Sequence, residues 1–129
     1  MDGQIRFLAL RNNPADPAHG GDFYYVVTGG VDDGETHVQA VIREVKEETG
    51  IIRALRLVQL PIEREYHDIW GNDCHELMYA LVTDAEVAHL SEEHVEHQWL
   101  DPEAFKKTIR WHGSASELAD LLDEIENLI

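Results

Sequence analysis

Glu44, Glu47 and Glu48 lie within one short stretch, preceded by Arg43 and closed by Gly50. On a helix, residues three and four apart share a face, so these three carboxylates converge. Like charges repel, and no helix needs such a cluster for its own stability. Hard divalent cations do need it, because they take oxygen ligands and are held by a few carboxylates together with substrate phosphates. The chemistry on offer is cation binding beside a phosphate group.

The elements that must position these groups follow from periodicity and punctuation. Ile5–Leu10 reads as a strand ending at Arg11, followed by a loop over Asn12–Asp22 rich in turn residues (Pro14, Pro17, Gly20 and Gly21). Phe23–Val27 is aromatic and β-branched, a second strand that runs into Thr28-Gly29-Gly30. After a turn at Asp32-Asp33-Gly34, the period from Thr36 to Thr49 is helical, with Val38, Val41, Ile42 and Val45 as its apolar stripe. Thr36 suits the N-cap, and Gly50 stands where a left-handed helix end favours glycine. The stripe is expected to anchor the helix while the carboxylates face a cleft. Ile51–Leu60 and Ile62–Tyr66 are strand-like on either side of Pro61, and Gly71-Asn72-Asp73 turns the chain into a returning strand, Glu76–Thr83. A polar loop at Ser91–His94 leads to a short strand, His97–Leu100, and Asp101-Pro102 starts a short helix. A last helix carries Leu118, Leu121, Leu122, Ile125 and Leu128, with Ser114 and Glu117 as its capping box.

The central stretch, GGVDDGETHVQAVIREVKEETGI, places Gly29, Glu35, Arg43-Glu44, Glu47-Glu48 and Gly50 at the spacing of the Nudix box. The chain resembles the Nudix hydrolase superfamily, most closely its dihydroneopterin triphosphate and dNTP pyrophosphohydrolases. Taken singly, a charged helix end is usually a solvated face and a glycine usually a turn; as one spaced set they are neither. The resemblance implies an α+β fold, a Nudix-type α/β/α sandwich with a mixed β-sheet flanked by helices, formed as one domain over residues 1–129. It also implies Mg²⁺, with Mn²⁺ as a substitute, held by Glu44 and Glu48 with Glu47 as a further ligand. Arg43 pairs with Glu35 in this reading and fixes the carboxylates, while Gly29 and Gly30 let backbone approach a phosphate.

Outside the box, Glu92-Glu93-His94 ahead of Gln98-Trp99-Leu100 resembles a Glu-His…Trp pattern of the family's triphosphate pyrophosphohydrolases. The resemblance makes Glu93 an extra ligand or the general base. His94 reads as a second-sphere or surface residue, and no histidine is assigned to metal. Arg11 is a candidate for a terminal phosphate. Tyr24, Tyr25 and Trp70 are candidates for stacking on a base or pterin ring, with core packing favoured for Tyr25.

Composition sets the outer limits. Twenty-six acidic against ten basic residues give a formal charge of −16, which argues against a nucleic-acid duplex as the natural partner. No apolar run approaches the ~20 residues that cross a bilayer, and a lone Cys74 fits a reducing cytoplasm. A polyanionic small molecule stays compatible with that charge when metal ions compensate it, and the resemblance implies a small nucleotide or pterin phosphate as the partner. Members of the family commonly carry a further strand before the first one here. Its absence would leave an open sheet edge that a second copy covers, giving a homodimer. The expected reaction is cleavage of a nucleoside or pterin triphosphate to monophosphate and pyrophosphate. The rivals are hydrolysis of a dinucleoside polyphosphate or ADP-ribose, and a non-catalytic nucleotide-binding module. Intact box glutamates argue against the last.

Overall fold

In the computed structural model, which describes residues 4–15, 22–68, 70–111 and 113–128, helix α1 (His37–Thr49) has the ends its sequence encodes. Thr36 accepts from the backbone of Gln39, and Gln39 reaches back to the backbone of Thr36, so two orphan donors are satisfied reciprocally. Gly50 takes the left-handed conformation, φ 77°, and its N–H closes on the carbonyl of Lys46. A side chain there would also run into Ala88 and the ring of His89.

The strands form two antiparallel sheets. In the first, β1 (Phe7–Asn12) lies between β2 (Tyr24–Tyr25) and β5 (His94–Leu100). The second is the hairpin of β3 (Arg56–His67) and β4 (Asp73–Val82). Parallel pairing among the described residues is one bridge, Tyr24 to Ile109. The two strand segments expected around Pro61 are one strand. Proline cannot donate to the ladder, and the register shifts between Gln59 and Glu63, so Pro61 sits where a ladder bond is already missing. The expected strand Phe23–Val27 contracts to two residues. Of the loop expected over Asn12–Asp22, Pro17, Gly20 and Gly21 lie outside the described residues.

The main core lies under the C-terminal helices. Asp101 caps α2 (Pro102–Thr108), with Pro102 at its first turn where the missing N–H costs nothing. The Oγ of Ser114 accepts from Glu117 N at the start of α3 (Ala115–Leu128). Leu118, Leu121, Leu122 and Ile125 of α3 pack on Ala9, Leu60, Phe105 and Ile109. Phe7 stacks on Phe105 with ring centroids 5.0 Å apart. Leu122→Ala is expected to cost roughly 2–5 kcal/mol, by lost transfer energy plus a cavity that the packed helix cannot close. Urea unfolding measures this, and a cost below about 1 kcal/mol would mean α3 is not part of the cooperative core.

Helix α1 is oriented differently from the expectation. Val38 and Ile42 are 43% and 45% exposed, Val41 and Val45 are half-buried, and the buried residues are Ala40, Glu48 and Thr49. The inward face is rotated from the apolar stripe toward the carboxylates. The stripe therefore anchors the helix by one edge only, and a glutamate occupies the most enclosed position.

Candidate functional site

Arg43 organises the loop that precedes α1. Its Nε and Nη2 donate to the two oxygens of Glu35 at 2.8 and 2.9 Å, the bidentate geometry that a guanidinium makes with a carboxylate. Nη2 also donates to the Gly30 carbonyl at 2.7 Å, and Nη1 donates to Glu44 at 2.7 Å and Glu47 at 3.2 Å. Glu35 in turn accepts from the backbone of Asp32. The Arg43 bonds, followed by that backbone bond, hold the Glu35 carboxyl down at about 2. One cation thus ties the loop to the helix and sets the direction of Glu44.

Gly29 lies against this arrangement. A Cβ at that position would overlap the Glu44 carboxyl group. The obstructing atoms are the far end of a long side chain, so Gly29→Ala is expected to displace Glu44 rather than unfold the protein. The expected outcome is a loss of turnover on the order of 10²-fold, as for an ångström-scale misplacement of a reacting group, with the thermal midpoint nearly unchanged. A variant with unaltered turnover would show that the position of Glu44 does not matter.

Glu44, Glu47 and Glu48 of α1 face Ser91, Glu92 and Glu93 across a cleft of about 380 Å³. Glu48 is 2% exposed, and among the described residues no donor reaches either of its carboxylate oxygens. The Oγ of Ser91 is likewise buried, with no hydrogen-bond partner among the described residues. Burial first, and the carboxyl of Glu93 second, push Glu48 up to about 9. Burial also raises Glu44, against the pull of Arg43. Oxygens of Glu48 and Glu93 and a ring nitrogen of His94 lie within 4.8 Å of one another. A carboxyl as enclosed as Glu48, set beside a second carboxyl, calls for a shared proton or a cation, so this donor set fits a divalent metal ion. Glu47 stands apart, with its side chain 57% exposed and bonded to Arg43.

Contacts far apart in sequence hold the opposite wall. Asn13 N donates to the Glu93 carbonyl and Asn13 Nδ2 to the Glu92 carbonyl, at 2.9 and 3.0 Å, so the end of β1 fixes the loop that carries Glu93. Between Arg11 and Asn12 the register with β5 shifts: Arg11 faces Glu96 and Asn12 faces His94, leaving Val95 as an extra residue on β5. Such an insertion re-aims the next side chain. His94 ends up buried beside Glu48, its Nδ1 4.0 Å from Glu48 Oε1. Backbone N–H groups of Ala88 and His89 donate to the Thr49 carbonyl and secure the end of α1. Sequence reasoning missed Asn13, which reads there as an ordinary turn residue beside Pro14, and gave His94 no ligand role.

Arg11 and Tyr24 belong to a different set of contacts. Arg11 grips both oxygens of Asp22 at 2.8 Å and reaches Glu96 at 3.5 Å. The Tyr24 hydroxyl donates to Glu96 at 2.5 Å and accepts from Gln98, and its ring packs against the α3 core. Neither residue lines the carboxylate cleft. Tyr25 is half-buried, and Trp70 is 73% exposed at the β3–β4 turn.

A family model described as NUDIX domain matches residues 1–121 of the chain. Dihydroneopterin triphosphate diphosphatase of Escherichia coli (strain K12) is 34% identical over 121 residues, covering 84% of this chain and 76% of that protein. The structure of the E. coli dihydroneopterin triphosphate pyrophosphohydrolase superposes with a TM-score of 0.71 at 25% identity, over 95% of this chain and 89% of that one. A C. elegans Ap4A hydrolase in a binary complex gives a TM-score of 0.63 at 27% identity, over 98% and 88% of the two chains.

Proposed function

The chain belongs to the NUDIX domain family, and on that premise we propose that it hydrolyses a nucleoside or pterin triphosphate to the monophosphate and pyrophosphate. It is a hydrolase of phosphoanhydrides, a class that uses divalent metal ions on small nucleotide-like substrates. The observation that carries the reading is Glu48, enclosed beside Glu93 at the edge of an acidic cleft, with no donor to either of its oxygens among the described residues. A polyanionic substrate cannot approach five carboxylates unless cations compensate them, so metal and phosphate enter as partners.

In this reading Glu44, Glu48 and Glu93 hold Mg²⁺, or Mn²⁺ in its place, and Glu47 is a further ligand at the rim. The bound ion supplies Lewis acidity and offsets charge on the phosphate oxygens. Arg43 and Glu35 keep the Gly29–Gly30 loop and Glu44 in register, so the carboxylates need no rearrangement when the substrate arrives. Glu93 lies where a carboxylate accepts the proton of an attacking water, or adds an oxygen ligand. Arg11 serves a terminal phosphate, and Tyr24 a base or pterin ring, only if their bonds to Asp22 and Glu96 open. In this reading the domain spans residues 1–129, works in the cytoplasm, and pairs with a second copy that covers an open sheet edge. No helix among the described residues is long and apolar enough to cross a membrane.

The similarity to the E. coli diphosphatase favours a pterin triphosphate, and that to the C. elegans Ap4A hydrolase keeps a dinucleoside polyphosphate as the rival. Incubation with Mg²⁺ and a panel of dihydroneopterin triphosphate, dNTPs, NTPs, Ap4A and ADP-ribose separates them by product. Pyrophosphate plus a monophosphate from a triphosphate supports the proposal. Turnover of Ap4A or ADP-ribose alone would replace it.

A further inference from the structure

Carboxylates alone would make an oxygen-only site, yet the third donor in the cluster is a nitrogen. We propose that His94 is a direct ligand of the cation held by Glu48 and Glu93, and that this donor tilts the site toward Mn²⁺ or Co²⁺ over Mg²⁺. The inference rests on the metal-dependent reading above and adds a ligand to it.

Three observations converge on the imidazole. The His94 side chain is 7% exposed, so it is committed to the protein interior beside Glu48. Its Nδ1 is 4.0 Å from Glu48 Oε1, too long for a hydrogen bond. Two donors on one ion, each at about 2.0–2.2 Å from it, sit at most about 4.4 Å apart. The 4.0 Å separation therefore fits an ion between the two atoms, and the 4.8 Å limit for the whole set needs a closure of only a few tenths of an ångström. Finally, the extra residue Val95 brings His94 to this position, where a regular β5 would direct it to the same face as Glu96.

The ligand type decides the metal. Mg²⁺ is hard, dehydrates reluctantly and prefers oxygen, whereas imidazole binds first-row transition ions, with affinity rising from Mn²⁺ to Co²⁺. Wild-type protein without nucleotide is expected to bind Mn²⁺ at least about tenfold more tightly than Mg²⁺ in calorimetric titrations. His94→Asn and His94→Gln should reduce that ratio on the order of tenfold while leaving Mg²⁺ affinity within a few-fold. The decisive measurement uses wild type and so does not depend on how the variants fold: pulsed EPR of the Mn²⁺-loaded protein should show coupling to a directly bound imidazole nitrogen. Substituting ¹⁵N-histidine should change that coupling. Mn²⁺ binding that depends on Glu48 but shows no nitrogen coupling would overturn the His94 assignment alone. Mn²⁺ binding absent, or unaffected by Glu48→Gln, would overturn the metal-site reading with it.

Discussion

Glu48→Gln is expected to cut Mg²⁺-dependent pyrophosphate release on the order of 10³-fold, and at the same time to make the metal-free protein more stable at alkaline pH. The two effects have one cause. The folded chain holds Glu48 at about 9, because burial penalises its charge and Glu93, Glu44 and Glu47 repel it. Unfolded, the same carboxyl titrates at about 4.3. Between those values the folded state keeps a proton that the unfolded state has released. Stability is therefore full below the unfolded value and is lost as pH rises toward the folded one. In chelator, the wild-type midpoint should fall from pH 5 to pH 9, by about 3–5 °C for each kcal/mol lost at this chain length. Glutamine has no such proton to release, so the variant's midpoint should stay nearly level. Glu35, held at about 2 by Arg43, acts in the opposite sense, but only below the ordinary carboxyl range. Metal added to the wild type should restore the stability lost at high pH, since an ion that binds only the folded state stabilises it. A flat wild-type profile in chelator, or a variant with full activity, would contradict this account of Glu48.

Arg43→Lys keeps the charge and is nevertheless expected to lower kcat/KM on the order of 10²–10³-fold. The guanidinium serves Glu35, Gly30, Glu44 and Glu47 at once through a planar fork. An ammonium is a point charge on a flexible stem and cannot span those directions. The loop carrying Gly29 and Gly30 would lose its tie to α1, and Glu44 would lose its orientation. Glu35→Gln should show a smaller loss of the same kind, and the double variant should be little worse than Arg43→Lys, because both changes break one clamp. Additive losses would mean that Glu35 and Arg43 act independently, and a Lys variant within twofold of wild type would remove Arg43 from the positioning machinery.

What could be read along the chain were features set by near neighbours. Thr36 and Gln39 cap α1 and Gly50 ends it because capping involves residues within one turn. The turn at Gly71 and the α3 stripe are legible for the same reason: a φ of 80° favours glycine, and helix period follows from spacing. Pro61 misled, because a proline that halts a regular strand is tolerated at a register shift that the residue string does not announce.

The sequence by itself determined that three carboxylates, an arginine and a glycine loop form one unit, because all of them lie within a single loop and helix. Only the tertiary structure decided how that unit is used. It rotated α1 so that Glu48 is enclosed and Val38 and Ile42 are half exposed, fixed Glu93 through Asn13, and placed His94 beside Glu48 by a shift between β1 and β5. It also placed Arg11 and Tyr24 around Glu96, away from the carboxylate cleft. The division has a physical basis. Periodicity and capping depend on residues a few positions apart, whereas the burial of a charge depends on which surfaces distant segments close over it.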